Sequence, residues 1–299
     1  MSHNNILHID TSLVHKLIAT QFPQWTHLPI SSVKHGGWDN RTFHLGEHMS
    51  VRLPSAAQYA DKVEKEQYWL PRLAHYLPLP IPTPIAMGKP TQDYPFPWSI
   101  YRWIDGQIAS AEHINDMNQF AADLAHFLNA LEKIDTTNGP IAGPHNFYRG
   151  GSLKIYDAET QQAIDKLDDA IDAHIVKKIW QLTLASTWNK SPVWVHGDIA
   201  PSNLLVKNGE LTAVIDFGGL GIGDPACDFA IAWTFFESES KDIFRTTLAV
   251  DDDTWNRARG WALWKALITY AQLAGTDVSK KEESKLIIDT IIKDHQNRS

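Results

Sequence analysis

Three oxygen-bearing side chains, Asp198, Asn203 and Asp216, stand at spacings that one β-hairpin would gather. The run VHGDIAPSNLLV (Val195–Val206) places His-Gly-Asp in a loop and Asn203 just before an apolar strand. Asn208-Gly209 follows between two apolar runs, the strongest short-range signal for a two-residue hairpin turn. With that turn, Lys207 pairs with Glu210 and Asn203 falls opposite Val214. Asp216 then lies two residues beyond, at the same open end as Asn203, and Asp198 sits in the loop leading into that end. Two carboxylates and an amide offer only oxygen, which suits a hard cation such as Mg²⁺. That ion takes few protein groups and completes its shell with substrate phosphates. The plain alternative is that Asn203 and Asp216 cap strand ends, within an ordinary turn of His, Gly, Asp, Pro and Ser.

The elements that must position these groups fall into two kinds. The first hundred residues are strand-rich. SSVKHGGWDNRTFHLG (Ser31–Gly46) has turn signals at Gly36-Gly37 and Asp39-Asn40 between candidate strands, and MSVRLP (Met49–Pro54) reads as a third. AQYADKVEKEQYWLPRLAHYL reads as a helix that Pro71 should kink or divide. The proline-dense LPLPIPTPIAMG (Leu77–Gly88) reads as an extended connector, and WSIYRWIDG (Trp98–Gly106) as a strand ending in a turn. The order is β-β-β-α-β-β.

After Gly106 helices dominate. Phe120, Leu124, Phe127, Leu128, Leu131 and Ile134 follow helical spacing. A second helix is expected over about Ala158–Ser186, a third over DDDTWNRARGWALWKALITYAQLAG, and a last at the C-terminus. An N-terminal helix starts at Asp10 or Thr11, with Leu13, Val14, Leu17 and Ile18 on one face. The class is α+β: a small β-rich lobe over 1–104 and a larger helical lobe over 105–299.

Composition narrows the function. With 299 residues, 43% of them hydrophobic and twelve Trp, the chain has material for a sizeable core. One cysteine, Cys227, excludes an intramolecular disulfide and a cysteine-based zinc cluster. A net charge of −8 argues against a nucleic-acid partner and favours a cationic small molecule. The N-terminus is too polar for a signal peptide and no apolar run approaches the ~20 residues a bilayer requires, so no membrane partner and a cytoplasmic location are expected.

HGDIAPSN followed by IDFGG resembles the aminoglycoside phosphotransferase and choline-kinase-like families, which share the two-lobed protein-kinase-like fold. The resemblance implies a small-molecule kinase that uses ATP or GTP with Mg²⁺ to phosphorylate a small-molecule hydroxyl acceptor. In it Asp198 resembles the catalytic aspartate that orients the hydroxyl and accepts its proton. Asn203 and Asp216 resemble the metal ligands. His196 resembles the motif histidine that braces the loop, and Asp228 in GDPACDFA the aspartate that ties the loop to the following helix. HGGWDN, with Gly36, Gly37 and Asn40, sits where these enzymes carry a phosphate-covering turn. A double glycine is also ordinary turn chemistry.

One departure stands out. The family's third-strand lysine is replaced by Arg52, whose natural partner is Glu66, with Glu64 as the runner-up. In the hinge YRWIDG the resemblance puts Tyr101 behind the adenine and the carbonyl of Arg102 and amide of Ile104 against it. Acceptor recognition is expected in the helical lobe. Glu237, Glu239 and Asp251–Asp253 could attract a polyamine-like antibiotic, although acids before a helix also complement its dipole. Trp255, Trp261 and Trp264 could stack on a sugar, although their spacing fits core packing. A nucleotide-binding pseudokinase that only scaffolds is the alternative, supported by Arg52. A protein kinase lacks support, since no Ala-Pro-Glu-like ending follows Gly218.

Overall fold

In a computed structural model, which describes residues 8–33, 39–273 and 275–298, the chain divides into two compact units. One runs to Gly106 and includes Ala213–Gly218; the other comprises Gln107–Thr212 and Gly219–Ser299.

In the first unit, the Asp10 side chain accepts from the Leu13 amide and starts α1 (Thr11–Gln21), which buries Val14, Leu17 and Ile18. Then come β1 (Ile30–Ser32), β2 (Asn40–Leu45), β3 (Met49–Pro54), α2 (Ala57–Leu73), β4 (Pro84–Gly88) and β5 (Trp98–Arg102). The strands form an antiparallel sheet in the order β1-β2-β3-β5-β4. Strand alternation sets the faces. Val51 and Leu53 of β3 join Phe43, Leu45, Trp98 and Ile100 in a core with α1. Arg52, between them, meets Glu66 of α2 instead.

Two expectations change here. Pro71 does not divide α2, which continues to Leu73, although the proline has no N–H to give the Gln67 carbonyl its intrahelical bond. The second half of the proline-dense run is not only a connector: Pro84–Gly88 is the edge strand β4, a position that tolerates proline.

The second unit holds β6 (Gln107–Ile108), α3 (Met117–Glu132), α4 (Asp157–Lys166), α5 (Ala173–Ala185), β7 (Val193–Val195) and β8 (Leu204–Lys207). β9 (Glu210–Val214) follows, its last two residues counting with the first unit. The rest is β10 (Gly221–Gly223), α6 (Ile231–Thr234), α7 (Ser238–Leu248), α8 (Asp252–Tyr270) and α9 (Lys281–Arg298). The helix expected over Ala158–Ser186 is two helices. Asp172 ends the intervening turn by capping α5, its side chain accepting from the Ile175 amide at 3.1 Å. α8 is the central helix and buries Trp255, Trp261, Leu263 and Leu267.

The β8–β9 hairpin forms around Asn208 and Gly209, both with positive φ (57° and 85°), as a two-residue turn of this chemistry requires. Among the described residues, no helix is long and apolar enough to cross a membrane.

Candidate active site

The second unit supplies a braced loop between β7 and β8. His196 is fully buried, and its Nδ1 accepts from the Asp198 amide at 3.1 Å. The buried Asp228 carboxylate takes the His196 amide on one oxygen and the Gly197 amide on the other, each at 2.7 Å. Burial pushes the Asp228 pKa up, and His196 and these two amides oppose that by favouring the ionised form. Gly197 cannot be replaced cheaply: its φ is 84°, and a Cβ there would lie 2.3 Å from the Gly219 carbonyl oxygen.

Asp198 projects from this loop with its side chain exposed. Asn203 directly precedes β8 and donates its Nδ2 to the Asp198 carbonyl at 2.8 Å and to Asp198 Oδ2 at 2.9 Å. Both bonds use the amide nitrogen, so Asn203 Oδ1 is left as an acceptor suited to a hard cation. Among the described residues, no cluster of three or more His, Cys, Asp or Glu forms a metal cage. A cation at Asn203 would therefore draw much of its shell from phosphate and water, which is how Mg²⁺ ordinarily binds beside a nucleotide.

The first unit supplies a charged group around Arg52. Its Nη1 lies 3.6 Å from Glu66 Oε2 and its Nη2 3.4 Å from Asp216 Oδ1. Tyr101 donates its hydroxyl to the same Glu66 oxygen, and the Arg52 guanidinium lies 5.6 Å from the Tyr101 ring centre. Burial of Arg52 is outweighed by Glu66 and Asp216, so its pKa rises above the ordinary arginine value. Asp216 has a left-handed φ of 63°, a strained setting for a non-glycine residue, and its Oδ1 also takes the Gly218 amide at 3.4 Å.

Glu66, rather than Glu64, is the residue the structure places against Arg52. Asn40 opens β2 opposite Pro54. Arg102 closes β5 with its amide on the Thr83 carbonyl at 2.9 Å, and Ile104 lies in the irregular link to β6. Gly36 and Gly37 lie outside the described residues.

Sequence reasoning missed two lysines of α2. Lys62 pairs with Asp39, and Lys65 donates to the Gly218 carbonyl at 2.9 Å. Burial lowers the Lys65 pKa to about 8, with Glu66 opposing and Lys62 assisting. Their spacing with Glu66 was the available signal, but a Lys/Glu-rich helix reads first as a solvated face.

The acids that could attract an acceptor lie at two helix starts. Glu237 stands at the N-cap position of α7 with its backbone N–H on Ser240 Oγ at 3.1 Å, and Glu239 sits in the first turn. Asp251 caps α8 and pairs with Lys190 at 2.8 Å, and Asp252 pairs with Arg245. Trp255, Trp261 and Trp264 are core side chains, at most 5% exposed.

The sequence pattern of the phosphotransferase enzyme family matches residues 32–261. No curated protein matches the chain closely enough in sequence to count as a relative. Solved structures share its fold. The GDP complex of aminoglycoside 2′-phosphotransferase-IIIa aligns at a TM-score of 0.72 and 20% identity, covering 96% of this chain and 100% of that one. The streptomycin–ATP ternary complex of APH(2″)-IIa aligns at 0.60 and 18%, covering 95% and 99%. The macrolide 2′-phosphotransferase MphH from Brachybacterium faecium aligns at 0.61 and 18%, covering 94% and 98%. These likenesses establish the two-lobed protein-kinase-like fold.

Proposed function

The chain belongs to the phosphotransferase enzyme family, and from that premise we propose that it transfers the γ-phosphoryl group of ATP or GTP to a hydroxyl of a small molecule, an antibiotic or a metabolite. The observation that carries this reading is Asp198 itself. It is an exposed carboxylate on a loop fixed from below by His196 and Asp228, with one oxygen held by Asn203.

In this reading residues 1–104 bind the nucleotide and 105–299 carry catalysis and the acceptor. Asp198 orients the acceptor hydroxyl and takes its proton. The hydroxyl oxygen bonds to the γ-phosphorus as the bond to the β,γ-bridging oxygen breaks, releasing the nucleoside diphosphate. Phosphoryl transfer needs mainly positioning and charge neutralisation, so these few oxygens suffice. Asn203 and Asp216 would hold Mg²⁺, which would neutralise charge on the phosphates. Arg52 stands in for the usual lysine on a phosphate, oriented by Glu66. Gly36, Gly37 and Asn40 cover the phosphates, and the Arg102 carbonyl and Ile104 amide meet the base.

Two of the fold-mates bear names that link them to aminoglycosides and one to macrolides. This supports an antibiotic-type acceptor as one class to test. The experiment is a phosphotransfer screen with ATP, GTP and Mg²⁺ against hydroxyl compounds, including aminoglycosides, macrolides, choline and ketoamine sugars. Turnover of any of them removes the scaffold alternative. Nucleotide binding without transfer to any hydroxyl would favour that alternative.

A further inference from the structure

The residues around Asp198 carry cations that the reaction described above does not use. Arg149, in the loop between α3 and α4, packs its Cβ against Gly197, where an added Cβ would lie 3.1 Å away. Its guanidinium rests on the indoles of Trp261 and Trp264, 4.8 and 5.4 Å from their ring centres. Tyr156 stacks on Trp264 at 3.9 Å and 20°, which locks that ring in place. Lys265, the next residue of α8, keeps its Nζ 5.9 Å from the Trp264 ring. Burial pushes the Lys265 pKa down and Arg149 pushes the same way, while Asp198 and Glu159 oppose. The two cations thus share the Trp264 ring, and the Lys265 side chain is exposed.

Neither cation is spent on an ion pair among the described residues. Glu159, which acts on Lys265 together with Asp198, accepts the Trp264 indole N–H at 2.5 Å. Asp251 and Asp252 stand at the start of α8, and Lys265 lies some fourteen residues along the same helix, about 20 Å away at 1.5 Å per residue. An aromatic floor that holds two cations without neutralising them preserves their charge for a ligand.

We propose that the acceptor is an anionic hydroxyl compound, whose carboxylate or phosphate group is held by Arg149 and Lys265 while its hydroxyl meets Asp198. The proposal rests on the kinase reading and narrows its substrate class. Arg149 offers a planar fork that suits carboxylate or phosphate, and Lys265 adds a point charge. The polycationic aminoglycosides suggested by the overall charge of −8 are disfavoured, because the charge beside Asp198 has the opposite sign.

Equilibrium binding of four defined probes tests this without requiring the true acceptor. D-gluconate carries a carboxylate, glucose 6-phosphate a phosphate, sorbitol no charge, and kanamycin several positive charges. Calorimetric or NMR titration of the full chain should rank at least one anion about tenfold or more above both sorbitol and kanamycin, the scale of a charge-assisted hydrogen bond. Which anion leads separates carboxylate from phosphate. Arg149→Gln and Lys265→Gln should each erase most of that preference, and a melting transition near the wild-type value shows that each variant is folded. If sorbitol or kanamycin binds as well as both anions, the proposal is overturned. It is equally overturned if the two variants keep the preference, or if they lose ATP affinity alone, which would assign the cations to the nucleotide. ATP and GTP titrated in parallel keep the two claims apart. Failure to bind either nucleotide counts against the kinase reading, whereas nucleotide binding without anion preference counts only against the acceptor class.

Discussion

Asn203 holds Asp198 from two sides, its amide nitrogen donating to the Asp198 carbonyl at 2.8 Å and to the carboxylate Oδ2 at 2.9 Å. One side chain therefore fixes the backbone and the rotamer of the carboxylate, and it keeps its own oxygen for a cation. Replacing Asn203 by Ala should do two separable things. Turnover falls because Asp198 is no longer oriented, and the Mg²⁺ dependence of nucleotide affinity weakens, on the order of tenfold for one lost charge-assisted contact. Calorimetric titration of ATP with and without Mg²⁺ reads the second effect. An unchanged Mg²⁺ dependence would remove Asn203 from the metal.

Arg52 bridges two carboxylates with different nitrogens, and its side chain is only 16% exposed. Arg52→Ala strands the nearly buried Glu66 beside Tyr101, so it should destabilise the first unit by up to ~3–5 kcal/mol and raise the nucleotide KM. Arg52→Lys can reach one partner but cannot span both, so it should fold better than the alanine variant and still bind nucleotide less well than wild type. Denaturant melts with steady-state kinetics check this. Wild-type kinetics for Arg52→Ala would return the residue to a purely structural role.

Asp228 accepts two backbone amides, one on each oxygen. Asp228→Asn keeps one acceptor but turns an NH₂ group toward the other N–H. We expect a loss of ~1–3 kcal/mol and a larger fall in kcat than in nucleotide affinity, because the loop that carries Asp198 loosens. Equal stability of the two proteins would contradict the bracing role.

Glu132 ends α3 with Oε1 buried and without a hydrogen-bond partner among the described residues. Burial first, then the nearby Asp228 and Asp224, pushes its pKa up from 4.5 to about 7, with Lys190 and Lys133 opposing. A raised carboxyl pKa stabilises the fold fully below the unfolded value, and that contribution is lost as pH rises through the folded one. The protein should therefore lose stability between pH 5 and about 8, and Glu132→Gln should flatten that slope and melt roughly 2–6 °C higher at pH 8. Parallel melting curves for the two proteins across this range would show that the burial has no such effect.

How much of this was legible in the sequence depended on the reach of each interaction. The β8–β9 hairpin is set by two adjacent residues, Asn208 and Gly209, so a local reading could find it. Arg52 and Glu66 sit on successive elements, and the family pattern pointed to their pairing. The break between α4 and α5 was hidden because apolar periodicity runs on past Asp172, whose side chain is seen to cap α5 only in the folded structure. Arg149 and Lys265 lie more than a hundred residues apart and meet on indole rings, a relation no spacing rule encodes. Conversely, Asp251 reads as a possible acceptor ligand because its charge is visible in the sequence, whereas the bond by which it caps α8 is not.

In the function proposed above, Asp198 is the group through which an acceptor hydroxyl is activated. Transfer of labelled γ-phosphoryl from ATP to a hydroxyl compound that the wild-type protein phosphorylates, measured beside Asp198→Asn, tests it most directly. Loss of a positioned base should lower turnover by ~10²–10⁴ while ATP binding stays close to wild type. Turnover within a few-fold of wild type in the Asp198→Asn protein would contradict the account.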